Sequence, residues 1–310
     1  MQNKQTRQGY ADALIELGDE MPELVVLDSD VAKATKTCDF EKAFARRFFN
    51  CGIQEQNLLS VAAGLALEGF VPFASSFGVF ATSRAGDQLR SSIAYPNANV
   101  KVAATHCGSS TGADGASHQA NEDIAIARSL PNMTVIVPGD YEEARLATKA
   151  AARLNGPVYL RLGRDTYPVV EPIHGDFIIG RAKVLHEGRD ITIVTTGIMV
   201  SEGLKAAQML EARGYSVFVI HMPTVKPLDE EALLRAARQT RGFVTAEEHS
   251  VIGGLGEAVA GCLSEKHPTP VRRVGVKDIF GESGTAQELL DLNGLRAANI
   301  VENALTILEG

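Results

Sequence analysis

The chain has 310 residues, too long for one ordinary core and suited to two domains of roughly 150 residues each. Its 45% apolar and 22% charged residues, with 29 glycines, describe a globular α/β protein with many tight strand-helix turns and exclude a disordered chain. A net charge of -8, with Lys and Arg scattered, excludes a nucleic-acid surface and leaves only small molecules as phosphate partners.

The apolar spacing of Tyr10, Leu14 and Leu17 predicts a helix over Thr6 to Met21, followed by a buried strand over Leu24 to Leu27. An Ala- and Leu-rich helix spans Gln54 to Leu67, and strands follow at Val71 to Phe73, Val100 to Thr105 and Thr134 to Val137. Asp140 to Leu154, after Pro138-Gly139, reads as a capped helix leading to a strand over Val158 to Leu162. This alternation implies a doubly wound parallel sheet. Asp165 to Phe177 breaks the rhythm with Pro168, Pro172 and Gly175, which fits an interdomain linker. A second α/β unit follows, with strands at Ile191 to Thr196, Ser216 to Met222, Gly242 to Glu247 and Val271 to Val276. Its helices fall over Met199 to Arg213, Asp229 to Gln239 and Gly254 to Lys266. The expected division is therefore 1–165, a linker at 166–180, and 181–310.

The four cysteines, Cys38, Cys51, Cys107 and Cys262, show neither metal-ligand pairing nor disulfide spacing and read as reduced intracellular thiols. The N-terminus lacks an apolar signal core, and no stretch approaches the about 18 apolar residues of a membrane span, so the cytoplasm is the expected compartment.

Glu55 stands in Asn50-Cys51-Gly52-Ile53-Gln54-Glu55-Gln56-Asn57, where a strand expected to end in Gly52 runs into a helix whose first turn holds Glu55. One reading is a charge complementing the helix dipole. The other is a carboxylate at the C-terminal edge of a sheet, where doubly wound folds bind ligands. Thr105 to Gln119 is a run of small and polar residues after a buried strand, which builds a site rather than a core. Its His106, Asp114 and His118 do not match common zinc spacings, and no fourth ligand is evident. Gly253-Gly254-Leu255-Gly256 is a partial dinucleotide fingerprint whose spacing fails at Val259.

Gly52-Ile53-Gln54-Glu55-Gln56-Asn57, followed by Ala62-Ala63-Gly64-Leu65-Ala66, resembles the pyrimidine-domain motif of transketolases. The resemblance covers nearly the whole chain and implies a pyrimidine-binding domain followed by a transketolase C-terminal domain. It makes Glu55 the acid/base that activates thiamine diphosphate through its aminopyrimidine ring. Phe77 and Phe80, in Ser75-Ser76-Phe77-Gly78-Val79-Phe80, become the aromatic wall on which that ring stacks, and Asp30 an acidic neighbour of the cofactor, better placed than Asp28. His106 then contacts a sugar phosphate, Asp114 and His118 contact sugar hydroxyls, and His106 and His118 join Glu55 in the catalytic set. Arg7 and Arg164 match phosphate-binding arginines and form a cationic clamp with His106. Cys107 occupies a family-variable position. Two positions depart from the pattern: Ser83 stands where a Tyr is common, and Ala34 where a Ser usually completes the phosphate site.

Transketolases hold diphosphate and magnesium with a Gly-Asp-Gly run and a downstream Asn, and this sequence has no Gly-Asp-Gly. The resemblance therefore implies a partner chain carrying the diphosphate-binding domain and the magnesium ligands, in an A2B2 heterotetramer. The expected reaction is transfer of a two-carbon ketol unit between sugar phosphates. The Thr105-His106 pair separates the chain from 1-deoxyxylulose-5-phosphate synthases, which carry an Arg there, and from 2-oxoacid dehydrogenase beta subunits. Those two classes, and a non-catalytic regulatory subunit, are the alternatives. An unusual branched or sulfonated sugar fits the same residues.

Overall fold

The computed structural model describes residues 3–310, so residues 1 and 2 of the expected first domain lie outside the described residues. A seven-stranded sheet is ordered Thr224–Lys226, Thr134–Ile136, Val158–Arg161, Lys101–Thr105, Val71–Phe77, Leu24–Asp28, Phe48–Asn50. Its strands are parallel except Thr224–Lys226, which pairs antiparallel with Thr134–Ile136. A five-stranded sheet follows, ordered Val271–Val276, Phe243–Ser250, Ile191–Thr195, Val217–His221, Lys183–His186, with only the last strand antiparallel.

Strand Leu24–Asp28 is buried along its whole length because helices cover both faces of the sheet. Its side chains alternate accordingly. Leu24 and Val26 meet Tyr10, Leu14 and Leu17 of helix Thr6–Glu20 and Ala144 and Ala147 of helix Tyr141–Arg153. Val25 and Leu27 meet Leu58, Leu59 and Ala62 of helix Glu55–Leu67. Helices Thr6–Glu20 and Tyr141–Arg153 approach so closely that a Cβ on Gly9 would stand 2.1 Å from the carbonyl oxygen of Tyr141. Helix Tyr141–Arg153 starts as expected, with Asp140 accepting a hydrogen bond from the Glu143 amide (2.9 Å).

The stretch read as a linker is folded. Thr166–Pro168 pairs antiparallel with Asn3–Gln5, Tyr167 and Ile173 are buried, and the Val170 amide donates to Asp140 Oδ2 (2.7 Å). Prolines and glycine mark it as irregular, but two apolar side chains dock it against the sheet units. Two segments, Phe80–Arg84 and Gln88–Ala94, are π-helical, a form concentrated at functional sites. Among the described residues no helix is long and apolar enough to cross a membrane.

Candidate functional site

Register brings the site together. Asp28 lies beside Ser75, and Phe77 beside Thr105, so the C-terminal ends of three neighbouring strands release their loops at one edge. Phe77 closes the strand Val71–Phe77, and its ring stacks on His106 at 3.9 Å between centroids. Phe80 lies 5.9 Å from Phe77 in a stacked arrangement, and His118 meets Phe80 edge-on at 5.3 Å. These four rings make one aromatic wall.

Glu55 opens its helix and is only 2% exposed. Its Oε2 accepts from Arg84 Nη1 (3.3 Å), and the same guanidinium lies over the Phe80 ring, 4.7 Å from the centroid. A carboxylate that only complemented the helix dipole would stay in water. This one is enclosed and linked through the Arg84 guanidinium to the Phe80 ring instead. Arg84 was not singled out from sequence; its signal is its position four residues after Phe80, one helical turn away.

Arg7 Nη1 donates to the Ala34 carbonyl (2.7 Å) and faces His106 Nε2 (3.4 Å). The backbone oxygen of Ala34 thus tethers Arg7 where the family pattern supplies a Ser. Arg164 Nη1 donates to the Thr111 carbonyl (2.6 Å) and pairs with Asp114 Oδ2 (3.3 Å). Arg7 and Arg164 are near enough that Arg164, after burial, helps lower the Arg7 pKa. His106 does not add a third positive charge, which corrects the expected three-cation clamp. Burial, then Arg7, Arg164 and His118, push its pKa down to about 3. An arginine only donates, so His106 Nε2 accepts and the ring proton sits on Nδ1, 2.9 Å from Thr105 Oγ1. The positive charge of the clamp comes from Arg7 and Arg164.

Asp30 is exposed, with a left-handed φ of 66°, and joins the group only through the turn before Glu55. It accepts from Asn50 Nδ2 (2.8 Å), whose Oδ1 accepts from the Gly52 amide (2.9 Å). Asp28 is fully buried and bound by the Val31 amide and the hydroxyls of Thr35 and Thr37, so it serves the loop rather than a ligand. Ser83 lies exposed beside Arg84 in the π-helical segment. Cys107 is buried, and burial raises its thiol pKa well above the ordinary value, which keeps it protonated. Among the described residues no group of three or more His, Cys, Asp or Glu is placed to hold a metal ion. The glycine fingerprint at Gly253 to Gly256 is closed to nucleotides. Glu247 fills the N-terminus of helix Leu255–Lys266, accepting from the Leu255 and Gly256 amides at 2.7 and 2.8 Å.

This parallel α/β unit brings together a buried acid, a stacked aromatic wall and two arginines, a set chemically able to take a small anionic ligand against a planar group. Residues 2–170 match the family "Transketolase, pyrimidine binding domain" and residues 180–300 match "Transketolase, C-terminal domain". The chain belongs to the transketolase family. It is 45% identical over 306 residues to a "Putative transketolase C-terminal section" of Methanocaldococcus jannaschii, covering 97% of this chain and 96% of that protein. It is 42% identical over 303 residues to the "6-deoxy-6-sulfo-D-fructose transketolase subunit SqwH" of Clostridium sp., covering 98% and 94%. Among solved structures it resembles a "Split gene transketolase, inactive beta4 tetramer" with a TM-score of 0.92 and 54% identity over 98% of both chains.

Proposed function

We propose that the chain is the pyrimidine-binding subunit of a thiamine diphosphate-dependent transketolase that moves a two-carbon ketol unit from a ketose phosphate to an aldose phosphate in the cytoplasm. The observation that carries this reading is the buried Glu55 carboxylate joined through Arg84 to the stacked Phe77–Phe80 pair. An aminopyrimidine needs such a set: a flat apolar surface for its face and an acid for its ring nitrogen. Thiamine diphosphate, when bound, supplies the nucleophilic ring carbon and electron sink needed to break a bond beside a carbonyl. Glu55 holds and returns the proton at the ring nitrogen, Phe77 and Phe80 fix the ring plane, and Asp30 adds an acidic group near the turn that precedes Glu55. His118 and Asp114 orient the sugar hydroxyls, while Arg7 and Arg164 hold the sugar's anion beside the neutral His106.

The diphosphate and its magnesium have no matching residues on this chain, so a second subunit supplies them, and two copies of each form an A2B2 assembly across a two-fold axis. The domain division that goes with this reading is 1–165 and 181–310, with 166–180 between them. The relative named for a sulfonated fructose suggests a second substrate class, since two arginine forks hold a sulfonate as well as a phosphate.

Calorimetric titration of thiamine diphosphate and magnesium tests the assignment. The purified chain alone shows no tight binding and no turnover, and both appear on adding a chain that carries Gly-Asp-Gly and a downstream Asn. Micromolar binding by the lone chain would sink the split-subunit reading.

A further inference from the structure

The run from Gly108 to Gly115 is a short 3-10 segment, Ser109–Asp114, bounded by glycines with positive φ (80° and 73°) and broken by a third at Gly112 (89°). A backbone of this kind makes few hydrogen bonds of its own, and its shape depends on what anchors it from outside. Thr111 Oγ1 donates to the His106 carbonyl (2.7 Å), and Ser110 Oγ lies 2.5 Å from the Tyr167 hydroxyl. Asn121 and Gln119 also bind Ser109, and a further anchor comes from the other sheet unit. Glu248, on strand Phe243–Ser250 and 4% exposed, accepts from the Ser110 amide at 2.5 Å. The approach is possible only because residue 108 is glycine: a Cβ there would stand 2.4 Å from the Glu248 carboxyl carbon. Arg161 Nη2 binds the Glu248 carbonyl (2.9 Å), which fixes the backbone from which the carboxylate reaches.

The anchored segment carries the substrate-facing groups. The residue after Ser110 offers the carbonyl that holds Arg164, and the segment ends in Asp114, which pairs with Arg164. We propose that Glu248 is a positioning residue for substrate, through which the C-terminal unit sets the geometry of the Ser109–Asp114 loop and of Arg164 behind it. The proposal rests on the transketolase reading for the identity of the substrate. Glu248 touches none of the reacting groups, and its effect falls on sugar binding rather than on turnover.

Three variants test it: Glu248→Gln keeps an acceptor oxygen, Glu248→Met keeps the volume without one, and Glu248→Ala removes both. Amide hydrogen exchange on the full chain is expected to show Ser110 protection lowered by about tenfold or more in the Met and Ala variants and kept in Gln. In the chain reconstituted with its diphosphate-binding partner, the Met variant should raise the Michaelis constant for a ketose phosphate by about tenfold with turnover within about threefold of the parent, and Gln should restore it. Unchanged Ser110 exchange in the Met variant overturns the proposal, as does an equal loss of turnover. Unfolding of both the Met and Ala variants marks Glu248 as a core residue and also ends it. Exchange is read on the chain without its partner, so failure of the functional reading shows in the parent's turnover and failure of this proposal in the Ser110 amide.

Discussion

Arg84 is held between two groups of different character: its Nη1 lies 3.3 Å from the Glu55 carboxylate, and its guanidinium carbon 4.7 Å from the centre of the Phe80 ring. The guanidinium is a flat, cationic group lying on an aromatic face and bonded to the acid, and about half of the Arg84 side chain remains in solvent. Glu55 itself is almost entirely enclosed, and among the described residues its charged partner is the half-exposed Arg84 at the end of the segment Phe80–Arg84. A planar heterocycle with a ring nitrogen would compete for the same two contacts.

Glu55→Gln keeps the side-chain volume and cannot share a ring-nitrogen proton. Thermal unfolding of this variant should stay close to the parent, while transfer activity in the reconstituted complex falls by about 10² to 10⁴. Exchange of the thiazolium ring proton for deuterium reads the step directly. Activity within tenfold of the parent would return Glu55 to a helix-end charge.

Arg164→Ala removes the guanidinium that binds the Thr111 carbonyl and Asp114. The Michaelis constant for a sugar phosphate should rise by about ten- to a hundredfold with a smaller change in turnover, since charge-assisted bonds to a remote group act alike in ground and transition states. An unphosphorylated ketose should respond weakly. Equal damage to both substrates would make Arg164 a loop support only.

Buried His249, pushed down to about 4 chiefly by desolvation, shares the acid sensitivity expected of His106. The folded His106 pKa of about 3 lies below the ordinary value of 6.5, so the ring is neutral in both states above that value and contributes no pH dependence there. Between the two values the unfolded chain binds a proton that the folded chain refuses, and stability falls as the pH drops, by at most about 1.4 kcal/mol per unit. His106→Asn suits the left-handed backbone, φ 57°, at that residue. From pH 7 to 5 it should lose about 1–2 kcal/mol less than the parent in denaturant titrations. Parallel curves would show that the ring is hydrated.

Asp123 and Arg161 form a buried pair, 0% and 6% exposed, with Nε 2.9 Å from Oδ2 and the Tyr159 hydroxyl donating to the same carboxylate at 2.8 Å. Asp123→Ala leaves the guanidinium enclosed without its counter-charge and should cost about 3–5 kcal/mol in urea unfolding. A loss below about 1 kcal/mol would mean that the carbonyls of Ala120 and Glu248, also bound by Arg161, suffice.

The central strands were legible because both faces are covered, which writes them as continuous apolar runs such as Leu24 to Leu27. Phe48–Asn50, a short and largely exposed edge strand, was legible as a strand but was expected to run on to Gly52, two residues past its end. Helices Ala286–Leu292 and Ala297–Leu308 were left unread, although their apolar spacing was available. Glu55, Phe77 and His106 could be picked out because each falls where a strand ends or a helix begins. Their supports could not. Arg84 reaches Glu55 across 29 positions and Glu248 reaches Ser110 across 138, separations over which sequence carries no periodic signal. The charge state of His106 was hidden for the same reason, since burial and two arginines from distant segments set it.

The antiparallel strand Thr224–Lys226 lies on Thr134–Ile136 although it follows the first strands of the second sheet in the chain. A fragment ending at residue 165 would therefore leave the amides and carbonyls of that edge unpaired, as a template for strands of other copies. The chain is stitched rather than hinged at this seam. Recombining its first half with a foreign second half would succeed only where the graft brings a strand of matching length to the same edge.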